Sequence, residues 1–155
     1  MPDRSADETL VVDFLNTVDV ENGTDVLADR FAWRRWGVDR GLEAGALDTA
    51  RAARDALRHA VGDPDAQRSD LLVPARIELA AHGPRLVAPD AVGAVLAAAV
   101  RLTVLGDWER LKICPADDCR WAFCDHSRNR SRTWCSMRVC GNREKARAWR
   151  ERTGR

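Results

Sequence analysis

All five cysteines of the chain, Cys114, Cys119, Cys124, Cys135 and Cys140, lie between positions 114 and 140. Four of them form two C-x4-C pairs, Cys114-Pro-Ala-Asp-Asp-Cys119 and Cys135-Ser-Met-Arg-Val-Cys140, joined by a fifteen-residue excursion. Soft thiolate donors delivered as two local pairs meet the demand of a closed tetrahedral zinc site. Spacing does not separate zinc from iron, and four incidental thiols are the plain alternative; one redox-silent, structural Zn²⁺ is the expectation. Four thiolates around one Zn²⁺ leave a doubly negative, fully ligated ion, which suits structure better than hydrolysis, because catalytic zinc keeps a water. Cys124 repeats the x4 spacing after Cys119, so spacing leaves it open as a ligand, with His126 nearby. A strand over 121–124 would turn it away from the knuckle.

Helix geometry constrains the second pair. Five residues at about 3.6 per turn rotate Cys140 well off the face of Cys135, so Cys135 must precede the helix, with Ser136 as N-cap and Cys140 in the first turns. Lys112-Ile113 and Trp121-Ala122-Phe123 are expected as short strands around the first knuckle. The result is a treble-clef-like finger: knuckle, hairpin, helix.

Residues 120–155 carry 11 Arg/Lys against Asp125, Glu144 and Glu151. Arg128, Arg130 and Arg132 alternate with Ser127, Asn129 and Ser131 in the excursion between the pairs. Arg143, Arg147 and Arg150 share a helix face at i, i+4 and i+7, flanked by Lys145 and Arg152. Guanidinium forks beside short hydroxyl and amide side chains suit phosphate oxygens and guanine edges, so DNA is the expected partner. The rivals are a solvated or protein-binding basic surface, an RNA-binding module, and a thiol redox switch with Cys124 as resolving thiol. Trp149 and Trp134 are candidates for base stacking, although Trp121 and Trp134 are expected to pack over the metal site.

The elements that must position this segment lie upstream. The chain has 155 residues, 45% apolar and 32% charged, with a formal net charge of +1. That near-neutrality hides a break: residues 1–106 hold 12 Arg against 17 Asp/Glu, residues 107–155 hold 13 Arg/Lys against 7. The break coincides with the onset of the cysteines, so a boundary is expected at Gly106-Asp107, between an N-terminal domain (1–106) and the finger (107–155). The fold class expected is α+β, mainly helical, with one small β-hairpin before the finger.

Within residues 1–106, Leu10, Phe14 and Val18 with Val11 and Leu15 read as a buried helix, with a short strand through Val12 as the alternative. Asn22-Gly23 marks a turn, and Thr24 or Asp25 is expected to cap a helical region carrying Val26, Leu27, Phe31, Trp33 and Trp36. Ala50, Ala53, Leu57, Ala60 and Val61 give a further helix ended by Gly62-Asp63-Pro64. Ile77-Glu78-Leu79 and Leu86-Val87 flank a turn at His82-Gly83-Pro84. Asp90 should cap a central helix from Ala91 to about Leu105. Asp13, Asn16 and Asp19 could line a pocket, but capping and solvation are the simpler reading; His59 and His82 read as ordinary surface or packing residues. No nucleophile–base pair or phosphate loop is evident, so an enzyme is not expected. The longest apolar stretch, Ala91 to Val100, is half of what a membrane span needs, and the acidic N-terminus lacks a signal-peptide pattern. A cytoplasmic, reducing location is expected, where clustered cysteines favour metal over disulfides.

Leu111-Lys-Ile-Cys114, Cys119-Arg-Trp, Asp125-His-Ser-Arg-Asn-Arg-Ser-Arg132, Trp134-Cys-Ser-Met137 and Cys140-Gly-Asn-Arg143 together resemble the CGNR zinc-finger family. Val12-Asp-Phe-Leu-Asn-Thr17 resembles the ABATE domain that precedes this finger. The resemblance implies a stress-linked bacterial transcription regulator. It also implies that Cys114, Cys119, Cys135 and Cys140, which match the family's cysteines one for one, are the ligands; Cys124 falls where relatives more often carry a large apolar or aromatic residue. The upstream region looks shortened relative to the family. The N-terminal domain is expected to bind a small effector or to form a homodimer.

Overall fold

The computed structural model describes residues 4–154. Helix α1 (Arg4–Leu15) turns Val11, Phe14 and Leu15 inward, at i, i+3 and i+4, and all three are fully buried. The helix stops before Val18. The Thr17 hydroxyl donates to the Phe14 carbonyl at 2.8 Å, and Val18 enters a ribbon of β1 (Val18–Asp19) and β2 (Thr24–Asp25), reversed through Gly23 at φ +64°. The helical period places Val18 on α1 with only a turn after it; in the structure Val18 is in β1 and the turn is the tip of this ribbon.

Two aspartates then start two helical segments in succession. The Asp25 side chain accepts from Leu27 N and opens a 3-10 turn (Val26–Ala28), while Asp29 accepts from Phe31 and Ala32 N and opens α2 (Arg30–Val38). Helix α2 contributes Trp33 and Trp36, whose rings stack at 5.1 Å and each meet Phe14 at 5.9 Å. Such aromatic pairs add about 0.5–1.5 kcal/mol each beyond the area they bury. Helix α3 (Leu47–Ala60) buries Ala50, Ala53 and Leu57 as its period requires.

The hairpin of β3 (Arg76–Ala80) and β4 (Gly83–Val87) has the register Ile77↔Leu86, and leaves Ile77 and Leu79 exposed. Asp90 accepts from Gly93 N at 2.9 Å and starts α4 (Ala91–Val104), which lies against α1 in the centre of the molecule. A bidentate Arg101–Asp7 pair, at 2.5 and 2.8 Å, joins the two helices. Among the described residues no helix is long and apolar enough to cross a membrane.

After Gly106 (φ +75°), a 3-10 turn (Trp108–Arg110) leads into β5 (Leu111–Ile113), which pairs antiparallel with β6 (Ala122–Cys124). Residues 111 and 122 belong to the same buried cluster as Phe14, Leu57 and Leu102, so the apolar core crosses the charge break at 106–107. A second, smaller cluster gathers Cys114, Ala116, Cys119, Phe123 and Cys140, with Trp134 and Cys135 against it. The last helix, α5 (Asn142–Thr153), buries no residue. Across the described residues the architecture is α+β and mainly helical, with three small antiparallel ribbons and a four-cysteine cluster.

Candidate functional site

Strands β5 and β6 flank the first cysteine pair, so the knuckle is the connection of the hairpin itself. Inside it, Cys114 N donates to the Trp121 carbonyl at 2.9 Å, and Cys119 N and Arg120 N both donate to the Ala116 carbonyl. Arg120 takes a left-handed conformation, φ +54°, which brings the chain back into β6. Strand alternation then separates the neighbours: Phe123 faces the cysteines, whereas Ala122 and Cys124 face the main core.

The second pair is arranged as helix geometry demands. Cys135 precedes the helix, Ser136 is extended (φ −141°) and its hydroxyl accepts from Val139 N at 3.3 Å. The first turn, Met137–Gly141, is wound as a π turn, with Gly141 N donating to the Ser136 carbonyl at 3.1 Å. This wide turn brings the Cys140 sulfur to 3.6 Å from Cys135, which lies 3.5 Å from Cys119. The donor atoms of Cys114, Cys119, Cys135 and Cys140 all lie within 4.8 Å of one another. Cys124 is outside this group.

The electrostatics of the cluster call for a cation. Burial pushes the Cys119 thiol up to about 11 and raises Cys135 as well, with the sulfurs of Cys119 and Cys140 adding to it. Burial also works against the Cys140 thiolate, but hydrogen bonds from Arg143 and from the sulfurs of Cys119, Cys135 and Cys114 together outweigh it and lower that thiol. Crowded thiols that resist ionisation together become compatible thiolates when a divalent ion supplies the missing positive charge. Four sulfurs with no carboxylate or imidazole among them form the donor set of structural zinc.

Each residue of Cys140-Gly-Asn-Arg143 has a separate role. Cys140 supplies one of the four clustered sulfurs. A Cβ at Gly141 would come within 2.5 Å of the Met137 sulfur and 3.2 Å of the Trp134 ring. Asn142 donates from Nδ2 to the Arg138 carbonyl at 3.2 Å. Arg143 turns inward: it contacts the Cys140 sulfur at 3.5 Å, Asp118 of the knuckle at 2.9 Å and Glu21 of the β1–β2 turn at 3.3 Å.

A buried ion pair shapes the excursion between the cysteine pairs. Asp125 is wholly buried and accepts from Lys112 Nζ at 2.7 Å and from the amides of Ser127 and Arg132, both at 2.9 Å. Burial would raise this carboxyl, but the Lys112 ammonium and the Ser127 and Arg132 donors hold it well below the ordinary carboxylate range. Lys112 also donates to the carbonyls of Arg130 and Arg132.

The cations singled out in the sequence therefore divide. Arg132 lies over Phe123 at 4.8 Å and donates to the carbonyls of Trp134 and Cys135; Arg130 pairs with Glu109. Arg143 is half-buried in the finger. Arg147 makes a surface pair with Glu144 at 3.0 Å, and Arg128, Lys145 and Arg150 are exposed with no side-chain partner among the described residues. Arg138, on the π turn, is a further exposed cation with no sequence signal of its own.

Three further contacts that no sequence motif marks join the finger to the N-terminal helices. Arg58 pairs with Asp63 at 2.6 Å and donates to the carbonyls of Leu15 and Arg120, both at 2.8 Å. Asn16 pairs with the Ala122 backbone. Cys124 lies near Glu8 and His126, and its thiol is pushed up to about 11, first by burial and then by the Glu8 carboxylate. Asp13 and Asp19, the other pocket candidates, pair with Arg40 and Asn22.

Residues 110–153 match the CGNR zinc finger family. None of the curated proteins matches the chain. The family match and the four-sulfur cluster together define a zinc finger with one structural zinc held by Cys114, Cys119, Cys135 and Cys140.

Proposed function

We propose that the protein is a zinc-dependent, DNA-binding transcription regulator whose four-cysteine finger contacts DNA. The observation that carries this reading is α5. It buries no residue, it is anchored through the π turn to the zinc site, and it presents Lys145, Arg147, Arg150 and Arg152 against Glu144 and Glu151. A cationic helix held at its N-terminus by a metal site and exposed along its length suits a duplex groove lined with phosphates. The Arg147–Glu144 contact is a surface pair, about 0–1 kcal/mol, and gives way readily to phosphate.

In this reading Arg143 is a positioning residue, and Arg128, Lys145, Arg147 and Arg150 make the phosphate contacts. Arg130 and Arg132 fix the loop and add to its positive field. We read the finger as treble-clef-like, with knuckle and hairpin fused. A homodimer would present two helices, as specific sites usually require more surface than one small module buries.

The effector-binding role of residues 1–106 is supported by an apolar cavity of about 490 Å³ between α4 and the 71–75 segment, lined by Leu57, Leu72, Val73, Leu96, Val100 and Trp108. That composition suits a small apolar ligand. Exposed Met137 and Val139 on the π turn and Trp149 on α5 support a second reading, in which this face of the finger docks on a protein. A salt titration on duplex DNA separates the two: phosphate binding weakens steeply with salt, and an apolar protein interface does not.

A further inference from the structure

Besides the four sulfurs, one more set of metal-ligating side chains converges among the described residues. Glu8, Cys124 and His126 bring a carboxylate oxygen, a sulfur and an imidazole nitrogen within 4.8 Å of one another. The His126 Nε2 to Glu8 Oε2 distance is 3.3 Å. We propose that Glu8, Cys124 and His126 form a second, open binding site for a divalent transition-metal ion such as Zn²⁺, joining α1 to the finger.

Position follows from the fold. Strand alternation turns Cys124 away from the zinc knuckle and toward α1, where Glu8 is buried one turn before Val11 and Val12. His126 follows two residues later, just past the buried Asp125, and stays at the surface. Glu8 is also 3.5 Å from Arg4, but Arg4 has a second acceptor in Asp107, so the carboxylate can turn to an ion without leaving a cation unpaired. Mixed sulfur, nitrogen and oxygen donors favour zinc-like ions over Mg²⁺ or Ca²⁺, which take oxygen alone.

Three protein donors leave a coordination position free, as in zinc sites that keep an exchangeable water. That position has room, because Glu8, Cys124 and His126 line a surface cavity of about 360 Å³ together with Ser5, Thr9 and Asp13. The two sites thus differ in kind: one closed, all-sulfur and structural, the other open, mixed-donor and exchangeable. Binding at the second forms a metal–sulfur bond and releases the Cys124 thiol proton to solvent. Because Glu8 belongs to α1 and the other two donors to the finger, the ion would fasten the finger to the N-terminal helices.

The test is a Co²⁺ titration of full-length protein already carrying one zinc, with zinc and cobalt both counted in the same sample. The site predicts one cobalt per chain, no loss of zinc, and a single thiolate-to-cobalt charge-transfer band. Cys124→Ser should abolish the band, and His126→Ala should weaken cobalt binding by more than about tenfold, while each variant keeps its one zinc as proof of folding. Absence of cobalt uptake, cobalt uptake only by displacing zinc, or uptake unchanged in both variants would overturn the proposal.

Discussion

The side-chain amide of Asn16 pairs with the backbone of Ala122 much as a neighbouring strand would. Its Nδ2 donates to the Ala122 carbonyl at 2.9 Å, and its Oδ1 accepts from the Ala122 amide at 2.7 Å. One residue just beyond α1 thereby satisfies both polar groups of a buried residue in the finger. Asn16→Ala should cost about 1–3 kcal/mol, the penalty for leaving buried backbone groups unpaired. Urea unfolding of the zinc-loaded protein measures it, and zinc content should stay at one.

Arg58 is the second attachment. Its guanidinium serves Asp63 and two backbone carbonyls, one of them on Arg120, the left-handed residue that closes the knuckle. Arg58→Met strands a buried carboxylate and should destabilise by about 3–5 kcal/mol. Adding Asp63→Leu should recover much of that loss, which a thermal melt of the single and double variants would register.

Arg143 supports the zinc ligand rather than standing in the row of free cations. Its hydrogen bond favours the Cys140 thiolate over the thiol, so without it the proton competes better with the metal. Arg143→Ala should lower zinc affinity by about 10–100-fold, the range for groups behind a metal ligand. The midpoint of acid-induced zinc release should move to higher pH. A chelator competition series across pH reads both effects.

Chelation under reducing conditions should melt α5 first. The helix has twelve residues and no buried side chain, and isolated helices of that length are marginal in water. Far-ultraviolet circular dichroism should show the helical loss. The Phe14–Trp33–Trp36 cluster should keep its near-ultraviolet signal, because its packing lies in the N-terminal helices.

What the sequence disclosed is local in origin. Asp90, Asp25 and Ser136 are caps because their side chains reach amides two or three residues ahead, and the C-x4-C pairs read as metal ligands because each is a short loop. The hairpin at 76–87 followed from apolar runs around His82-Gly83-Pro84. The contacts that seat the finger are long-range: Asn16 and Ala122 are 106 positions apart, Arg58 and Arg120 are 62. No periodicity or motif marks such pairs. The inward turn of Arg143 was hidden for a similar reason, since a regular helix face groups it with Arg147 and Arg150. The π turn and the acidic residues Asp118 and Glu21 draw it to the zinc site instead.

The most direct test of zinc-dependent DNA binding is a salt titration of the zinc-loaded protein on random duplex DNA, with the Lys145→Ala/Arg147→Ala/Arg150→Ala variant alongside. The reading predicts a log–log slope of about −0.9 per phosphate neutralised, reduced by about one for each contacting cation removed, and loss of binding on zinc removal. Protein that holds one zinc per chain and yet shows no affinity for duplex at low salt would contradict it. So would a slope and affinity that the triple variant leaves unchanged.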